Sequence, residues 1–402
     1  MPTSRADHRV GRRRAISTMA SAGLAWLAAP ASVVRADPTS LNGQFQARLD
    51  ALRAEFKFPG ATAAYVLRDG EVGVVATGLA DIELAAPMTV RSRMLPASIG
   101  KSFVAATALS LAQNGALRLD DPIAKWLGDR PWFSRLANGS TITLRQLLTH
   151  SSGLPDHVDN ISFARDVAVR WSEPGNPFPP ESLVAYILDE RARFPPGAGY
   201  AYTDTGYILI GLIIEKATGR TYYDEVTRRF LEPLRLRLTS PAASRNLPGL
   251  ASGYMSSHNP LGLPPKTTVA PGVMTYNPVE EWTGGGLASN SRDLAVWAKA
   301  LYEGRAMRGP YLDELLRSVP RSKDPRHRYG AGVFIDEGTP LGETYGHGGW
   351  IPGYCSDMRY YRDYRVAVAV QINTDIGIDG NPTAAAAIRE GLARVVVEAG
   401  RS

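Results

Sequence analysis

The chain has 402 residues, of which 44% are hydrophobic and 21% charged, a balance typical of an ordinary globular protein. No internal repeat or low-complexity tract is visible, and a chain of this length builds a core without disulfides or metals. The formal net charge is +6, but residues 1–36 contain six arginines and one aspartate; the remainder, at about +1, gives no electrostatic reason to expect nucleic acid or anionic lipid as a partner.

The first 36 residues have the pattern of a secretion signal. Arg12-Arg13-Arg14 stands before a small-apolar run from about Ala15 to Val34, and Val34-Arg35-Ala36 fits the small-residue cleavage pattern. The consecutive arginines resemble a twin-arginine signal. A membrane anchor is the alternative, but Ser, Thr and Pro interrupt the run, and no later stretch is long and apolar enough to span a bilayer. We therefore expect a cleaved leader, a periplasmic or secreted protein and no stable membrane span.

The pattern after the leader predicts a helix, a hairpin and a second helix. Leu41 to Phe56 is amphipathic and predicts the first helix. Two β-prone runs, Ala61–Leu67 and Glu71–Thr77, flank the hairpin signal Arg68-Asp69-Gly70. The second helix is expected to begin near Ser98 and to continue to about Gln113.

The rest of the chain predicts helices first and strands again at the end. From Leu119 to about Leu316 it reads as helices and Pro-rich loops. Four strands then follow, and the last segment is an amphipathic helix; the ranges are Tyr329–Asp336, Thr344–Gly348, Cys355–Tyr361, Val366–Asn373 and Pro382–Ala399. Strands at both ends indicate an α+β fold, an antiparallel sheet built from both chain ends and flanked by helices, with a helical insertion. We expect a sheet domain over residues 41–110 and 320–402 and a mostly helical domain over 111–319.

One candidate nucleophile and its base lie in Ser98-Ile99-Gly100-Lys101. A spacing of three residues puts Ser98 and Lys101 on one helical face, within side-chain reach. A serine hydroxyl is a weak nucleophile and needs a nearby base, which a buried lysine can provide. Alone, the motif is weak, since the same letters describe an exposed lysine one turn from a helix cap. Cys355, the sole cysteine, permits no intramolecular disulfide and is better explained as a structural thiol than as a nucleophile.

Two further motifs carry groups that suit such a nucleophile. In Tyr202-Thr203-Asp204, the phenol can exchange a proton with a lysine and deliver it to a leaving group. In His347-Gly348-Gly349-Trp350, glycines within a strand indicate close approach by a ligand or another backbone, and the Trp350 amide can act as an oxyanion donor. The alternatives are a tyrosine packed at a loop-to-helix junction and a Gly-rich turn with a solvent-facing histidine.

Taken together, the order and separation of these motifs resemble the serine β-lactamase, DD-peptidase and esterase superfamily, on the side that contains class C β-lactamases. That family carries S-x-x-K, then Y-x-N, then K-T-G or H-x-G. The resemblance runs from about residue 45 to the end. It includes four further segments: Gly78-Leu79-Ala80-Asp81, Leu119-Asp120-Asp121-Pro122, Leu147–Pro155 and Gly284-Gly285-Gly286-Leu287.

The resemblance implies a role for each site residue. Ser98 would be the acylated nucleophile, Lys101 its general base and Tyr202 the proton shuttle. The amides of Ser98 and Trp350 would form the oxyanion hole, beside Gly348 and Gly349. His347 would replace the family's lysine as the positive or hydrogen-bonding group over the site. It implies no metal or cofactor, and the remaining histidines show no metal-ligand pattern.

Two positions depart from the family pattern. Asp204 stands where Asn is usual; an ionised Asp only accepts hydrogen bonds, and it could form a salt bridge that keeps Lys101 charged. Gly348 stands where β-lactam-directed members often carry Thr. Both changes disfavour recognition of a penicillin or of a free C-terminal carboxylate.

Three functions follow as alternatives. The first is a serine hydrolase that forms an acyl-enzyme with a small ester, amide or peptide. The second is a D-alanyl-D-alanine carboxypeptidase or a class C-type β-lactamase. The third is a non-catalytic, penicillin-binding-like sensor module, which would not need Ser98, Lys101 and Tyr202 together. Because one fold hosts several chemistries, the sequence does not name the substrate.

Overall fold

The computed structural model describes residues 37–173, 175, 177–255, 263–378 and 382–399. The predicted leader over residues 1–36 lies outside the described residues, so both the leader and export stay predictions. Within the described ranges, no helix is both long and apolar enough to cross a bilayer.

Thirteen strands and eleven α-helices have definite bounds in the described part of the chain. The strands are β1 (Gly60–Val66), β2 (Val72–Asp81), β3 (Ala86–Pro87), β4 (Ser240–Pro241), β5 (Thr268–Ala270), β6 (Val273–Met274), β7 (Leu287–Ala288), β8 (Val319–Pro320), β9 (His327–Tyr329), β10 (Phe334–Thr339), β11 (Gly342–Ile351), β12 (Tyr354–Tyr361) and β13 (Val366–Ile372). The helices are α1 (Leu41–Phe56), α2 (Gly100–Gln113), α3 (Ala124–Leu127), α4 (Leu144–Leu148), α5 (Ile161–Ser172), α6 (Asp204–Thr218), α7 (Tyr222–Val226), α8 (Trp282–Gly285), α9 (Ser291–Tyr302), α10 (Leu312–Leu316) and α11 (Pro382–Ala399). Short 3₁₀ turns include Ala97–Ile99 and Pro278–Glu281.

Nine of the strands form one antiparallel sheet, in the order β3-β2-β1-β13-β12-β11-β10-β9-β8. The first and last long strands are therefore neighbours, and Ala61 pairs with Ile372. The predicted hairpin is present, with Val66 opposite Val72 and a left-handed Gly70 (φ 99°) in its turn. This arrangement confirms the α+β fold with a sheet drawn from both ends of the chain.

Both faces of the central strands are buried. On one face, α1 and α11 contribute Phe45, Leu49 and Leu392 to a core that includes Ala61 and Val370. The other face belongs to a larger core that also contains residues of α2, α6 and α9. Alternate side chains of β1 thus enter different cores, which is why the strand is apolar almost throughout. The layer that contains α2 supports the candidate site.

The segment between β3 and β8 is mostly helical, and it also contains the short strands β4 to β7, which form two two-stranded sheets. Its separation from the sheet as a distinct domain stays a prediction. One predicted strand was wrong: Tyr329–Asp336 is divided into β9 and β10. The chain turns at Gly332 (φ 67°), where a Cβ would lie 2.7 Å from the Lys101 carbonyl oxygen. The break therefore lets a hairpin turn pack directly against the start of α2.

Candidate active site

Ser98 lies in the 3₁₀ turn that leads into α2, and Lys101 follows within the first turn of the helix. The Lys101 ammonium is fully buried. It donates to Ser98 Oγ at 3.0 Å, to the Gly284 carbonyl oxygen at 2.6 Å and to Asp204 Oδ1. Each of its three protons therefore has an acceptor, and the predicted reach between Ser98 and Lys101 is present.

The Lys101–Asp204 contact is an ion pair between α2 and the first residue of α6. Thr203 caps α6 by accepting the Gly206 amide at 3.3 Å, and Asp156 Oδ2 accepts the Asp204 amide at 2.8 Å. The cap fixes where Asp204 points. The salt bridge anticipated from the Asn-to-Asp departure therefore forms.

Tyr202 stands immediately before this cap, with its ring centroid 5.0 Å from Lys101 Nζ. His150 packs on the ring at 4.1 Å and accepts the Thr203 amide at 3.2 Å, so it acts as a structural support for this loop. The Tyr202 hydroxyl is buried and has no hydrogen bond of normal geometry, although the Ser98 side chain is near enough to lower its pKa slightly. Burial and the Asp204 charge outweigh this and raise the pKa of Tyr202 well above its usual value. At neutral pH it is a protonated phenol.

Strand β11 brings the Gly-rich motif against Ser98. A Cβ added at Gly349 would lie 1.9 Å from the Pro96 carbonyl oxygen and 3.3 Å from the Ser98 amide nitrogen. Only a glycine allows the two backbones to approach this closely. The Trp350 side chain is 45% exposed at the cavity rim. The role of its amide in an oxyanion hole stays a prediction.

Alanine substitutions at Gly348 and Gly349 should show which of the two positions is closely packed and which faces open space. We expect Gly349→Ala to lower the free energy of unfolding by about 2–3 kcal/mol, because the added methyl group overlaps backbone. Gly348→Ala is the matched control and should cost under about 1 kcal/mol, since its nearest neighbours would lie at 3.8 Å. Urea unfolding measures both. Equal losses would contradict the close approach of β11 to Ser98.

His347 takes only part of its anticipated role. It is 1% exposed, and its Nε2 lies 2.9 Å from the Tyr329 hydroxyl while Nδ1 lies 2.5 Å from the Gly348 carbonyl oxygen. Burial lowers its pKa to about 3, with the Lys101 charge as a smaller contribution. His347 is therefore neutral at physiological pH. Of the two alternatives for His347, a positive or a hydrogen-bonding group, these contacts favour the second, because both ring nitrogens lie against neutral hydrogen-bond partners in a buried site.

Sequence reasoning missed two neighbouring buried carboxyl groups, of which Glu281 lines the same cavity as Ser98. Glu280 and Glu281 occupy the 3₁₀ turn before α8. Burial raises the pKa of Glu281 to about 8 and that of Glu280 to about 7, and for Glu281 the Asp204 charge adds to the effect. The signal available in the sequence was their position just before Gly284-Gly285-Gly286-Leu287. Since Gly284 accepts a hydrogen bond from Lys101, its neighbours were candidates for the same site.

Because the pKa of Glu281 is raised in the folded protein, we expect the free energy of unfolding to depend on pH. Its folded-state value exceeds the ordinary 4.5, so the stabilisation from its bound proton is complete below about pH 4.5 and is lost as pH rises through about 8. Glu281→Gln removes this loss. Relative to wild type, the variant should gain about 1–3 kcal/mol of unfolding free energy between pH 5 and pH 9, a range reduced for the partial exposure of the side chain to the cavity. Thermal or urea unfolding at both pH values tests it; parallel curves would contradict it.

The residues of the candidate site line one cavity of about 570 Å³. Its wall includes Ser98, Tyr202, Asp204, Glu281, His347, Gly348, Gly349 and Trp350. Every residue predicted for the site therefore lies at the cavity or, in the case of Lys101, directly beneath it. A volume in this range suits a small organic molecule. The arrangement offers a hydroxyl, an amine with a paired carboxylate and a neutral phenol around one possible carbonyl position.

Comparison with known proteins is consistent with this geometry. The Beta-lactamase family profile matches residues 45–393. A D-stereospecific amidohydrolase from Streptomyces sp. has a similar structure, with a TM-score of 0.72 and 30% identity over 87% of this chain and 97% of the other.

Two curated relatives are similar in sequence. A penicillin-binding protein of Bacillus subtilis (strain 168) is 26% identical over 72% of this chain and 62% of its own length. Esterase EstB of Burkholderia gladioli is 32% identical over 50% of this chain and 52% of its own length. The matched regions thus span about half to three-fifths of these curated relatives. The profile match and the 30% identical relative nonetheless cover most of this chain, and they show that it belongs to the beta-lactamase family.

Proposed function

We propose that the protein is a serine hydrolase that cleaves small esters or amides through an acyl-enzyme on Ser98. The observation that carries this proposal is the 3.0 Å contact between Lys101 Nζ and Ser98 Oγ at the floor of the cavity. A hydroxyl and an amine at this distance form the nucleophile-base pair that acyl transfer requires. The esterase and the D-stereospecific amidohydrolase among the related proteins support the same reaction class.

In the proposed first step, Ser98 Oγ attacks the carbonyl carbon and its proton passes to Lys101. Lys101 can accept this proton only as a neutral amine. Its ammonium must therefore first transfer one proton to Asp204, its direct hydrogen-bond partner. Tyr202, which is protonated, then donates a proton to the leaving alkoxide or amine and is reprotonated from Lys101. A water molecule attacks the acyl-enzyme by the same route in reverse, and Ser98 is regenerated.

The charge of the cavity favours substrates without a free carboxylate. No Lys or Arg is among the described residues that line it, and Lys101 is already paired. His347 is neutral, whereas Asp204 and Glu281 both face the space. A carboxylate placed there would find no free cation among the described lining residues, since Lys101 is taken up by Asp204, and Glu281 is mostly protonated at neutral pH. The observation therefore favours an esterase or amidase over a D-alanyl-D-alanine carboxypeptidase or a β-lactamase.

A substrate panel tests the proposal. Short-chain aryl esters, D-amino-acid amides, a D-Ala-D-Ala peptide and a chromogenic cephalosporin are each supplied to wild type and to Ser98→Ala. We expect Ser98-dependent hydrolysis of the esters or amides and kcat/KM values lower by at least about 10²-fold for the two carboxylate substrates. Turnover confined to the cephalosporin or the peptide would favour the second function. A lack of covalent labelling by a serine-directed probe would favour the sensor module.

The phenol can be tested separately. We expect Tyr202→Phe to lower kcat for ester hydrolysis by about 10²–10³-fold, because it removes the proton donor. The unfolding free energy should change little, since the buried hydroxyl has no hydrogen bond of normal geometry to lose. Tyr200→Phe is a matched control on the same loop. Unchanged kcat in Tyr202→Phe would contradict the shuttle.

A further inference from the structure

Asp156 is a buried carboxyl group at the N-terminus of α6. It stands before the 3₁₀ turn His157–Asp159 and is 7% exposed. Its Oδ2 accepts the Asp204 amide at 2.8 Å, and its Oδ1 accepts the amide and the hydroxyl of Thr205, each at 3.3 Å. Asp156 therefore binds the first two amides of α6 from outside the helix, where the helix dipole favours a negative charge.

The loop that contains Asp156 also holds the next part of the helix start. The Thr203 hydroxyl accepts the third amide of α6 and donates to the Pro155 carbonyl oxygen at 3.0 Å. Two neighbouring residues, Pro155 and Asp156, are thus tied to the first turn of α6. Because Asp204 is the first residue of this helix and pairs with Lys101, these contacts set where its carboxylate meets the amine.

Titratable groups from several elements face Asp156. They are Lys101 of α2, Tyr202 before α6, Asp204 of α6, Glu281 of the turn before α8 and His157 of the adjoining turn. Burial raises the pKa of Asp156 to about 7; the Asp204 charge adds to this rise, and the Lys101 charge opposes it by a smaller amount. His157 is neutral, because burial lowers its pKa to about 4. Asp156 therefore becomes negatively charged as pH rises through neutrality.

We propose that Asp156 is a positioning residue for the Ser98 reaction: it holds Asp204 against Lys101 and, once ionised, promotes the transfer of a proton from Lys101 to Asp204. The inference rests on the proposed function, because this transfer is its first proton step. An N–H bond of Lys101 breaks and an O–H bond forms on Asp204, so both groups become neutral. The one negative charge that is left lies on Asp156, where two backbone amides and the α6 dipole stabilise it.

The direction of the effect follows from the unequal distances of the charges. The Asp204 charge acts more strongly on Asp156 than the Lys101 charge does. When the proton moves, repulsion between the two carboxylates disappears and only a weaker attraction to the ammonium is lost. The neutral amine can then accept the proton of Ser98 Oγ, which lies 3.0 Å away. The reactivity of Ser98 should therefore rise with pH over the range in which Asp156 ionises.

The test measures two rates between about pH 5.5 and pH 8. They are the rate at which a fluorophosphonate probe labels Ser98 and kcat/KM for p-nitrophenyl butyrate. In wild type, both should rise by about 10-fold or more through neutrality, as Asp156 loses its proton. Asp156→Asn keeps the shape and one oxygen acceptor but has no charge to gain. Its rates should lack this rise and should lie about 10–100-fold below wild type at the upper end of the range, with KM unchanged.

Two further variants separate charge from structure. Asp159→Asn is the matched control, because Asp159 lies on the adjoining turn and its side chain is 66% exposed; its pH profile should match wild type. Asp156→Ala removes the acceptor as well as the charge, so it should also lower the urea midpoint, which Asp156→Asn should largely keep. The same profiles measured with Glu281→Gln present remove the neighbouring carboxyl group, whose pKa is about 8.

The outcomes distinguish this inference from the proposed function. A wild-type profile that stays flat through neutrality would overturn the role of Asp156 without the need for any variant. An Asp156→Asn profile that still rises as wild type does would overturn it too. A wild type that takes up no probe, or hydrolysis that persists in Ser98→Ala, would instead overturn the proposed function and this inference with it.

Discussion

Ser98→Ala should lose at least about 10⁴-fold in kcat on any ester or amide that the wild type hydrolyses, because Ser98 carries the hydroxyl that Lys101 contacts at the cavity. The variant should also show no mass increase after treatment with a fluorophosphonate probe, whereas the wild type gains one adduct. Hydrolysis of p-nitrophenyl butyrate and intact-protein mass spectrometry measure these two outcomes.

The matched control for this variant lies further along the same helix. Ser110 is a partly buried serine of α2, and its hydroxyl accepts from Arg229 at 2.7 Å. Ser110→Ala should keep its rate within about threefold and should still take up the probe. Full activity in Ser98→Ala would end the proposed mechanism.

Lys101→Met should lower kcat by about 10³-fold or more and also destabilise the fold. The variant loses the amine that contacts Ser98, and it leaves the Asp204 carboxylate without its ion-pair partner. Removing one member of a buried pair costs more than the pair contributes. Because the Asp204 side chain is 26% exposed, we expect a loss of about 1–3 kcal/mol in unfolding free energy.

A double variant separates these two effects. Lys101→Met with Asp204→Asn removes both charges, so most of the lost unfolding free energy should return while kcat stays low. Urea unfolding and ester hydrolysis on the same preparations give the two readouts. A double variant that is as unstable as Lys101→Met would show that the carboxylate charge is not the source of the loss. Recovery of kcat would contradict the role of Lys101 as a base.

The features of this molecule that could be predicted from its sequence are set by local patterns, in which the residues concerned lie close together along the chain. Ser98 and Lys101 are three residues apart, so helix geometry alone brings them within reach. The hairpin between β1 and β2 follows from Arg68-Asp69-Gly70, and the sheet from both chain ends follows from where the β-prone runs lie. The order of the motifs predicts the family, the β-prone runs at both ends predict the α+β fold, and both predictions are confirmed.

The features that were not predicted depend on contacts between distant segments. The neutrality of His347 is set by burial and by Tyr329, which lies on a strand two places away in the sheet. The break between β9 and β10 is set by the packing of Gly332 on α2. Glu281 looks like a surface carboxylate in the sequence, and only the fold places it beside Asp204. The catalytic roles of Ser98, Lys101 and Tyr202 stay predictions.

The pairing of β1 with β13 has a consequence for how the protein is made. Strand β1, which begins at Gly60, cannot pair with β13 until the chain has been synthesised as far as Ile372. Strand β11, which packs against the Ser98 turn, is also synthesised long after that turn. Contacts between such distant segments slow folding and leave partly synthesised chains with unpaired strand edges. We therefore expect a ribosome-bound chain that ends before β11 to be protease-sensitive and inactive, because the Ser98 turn gains its packing partner only after β11 has been synthesised.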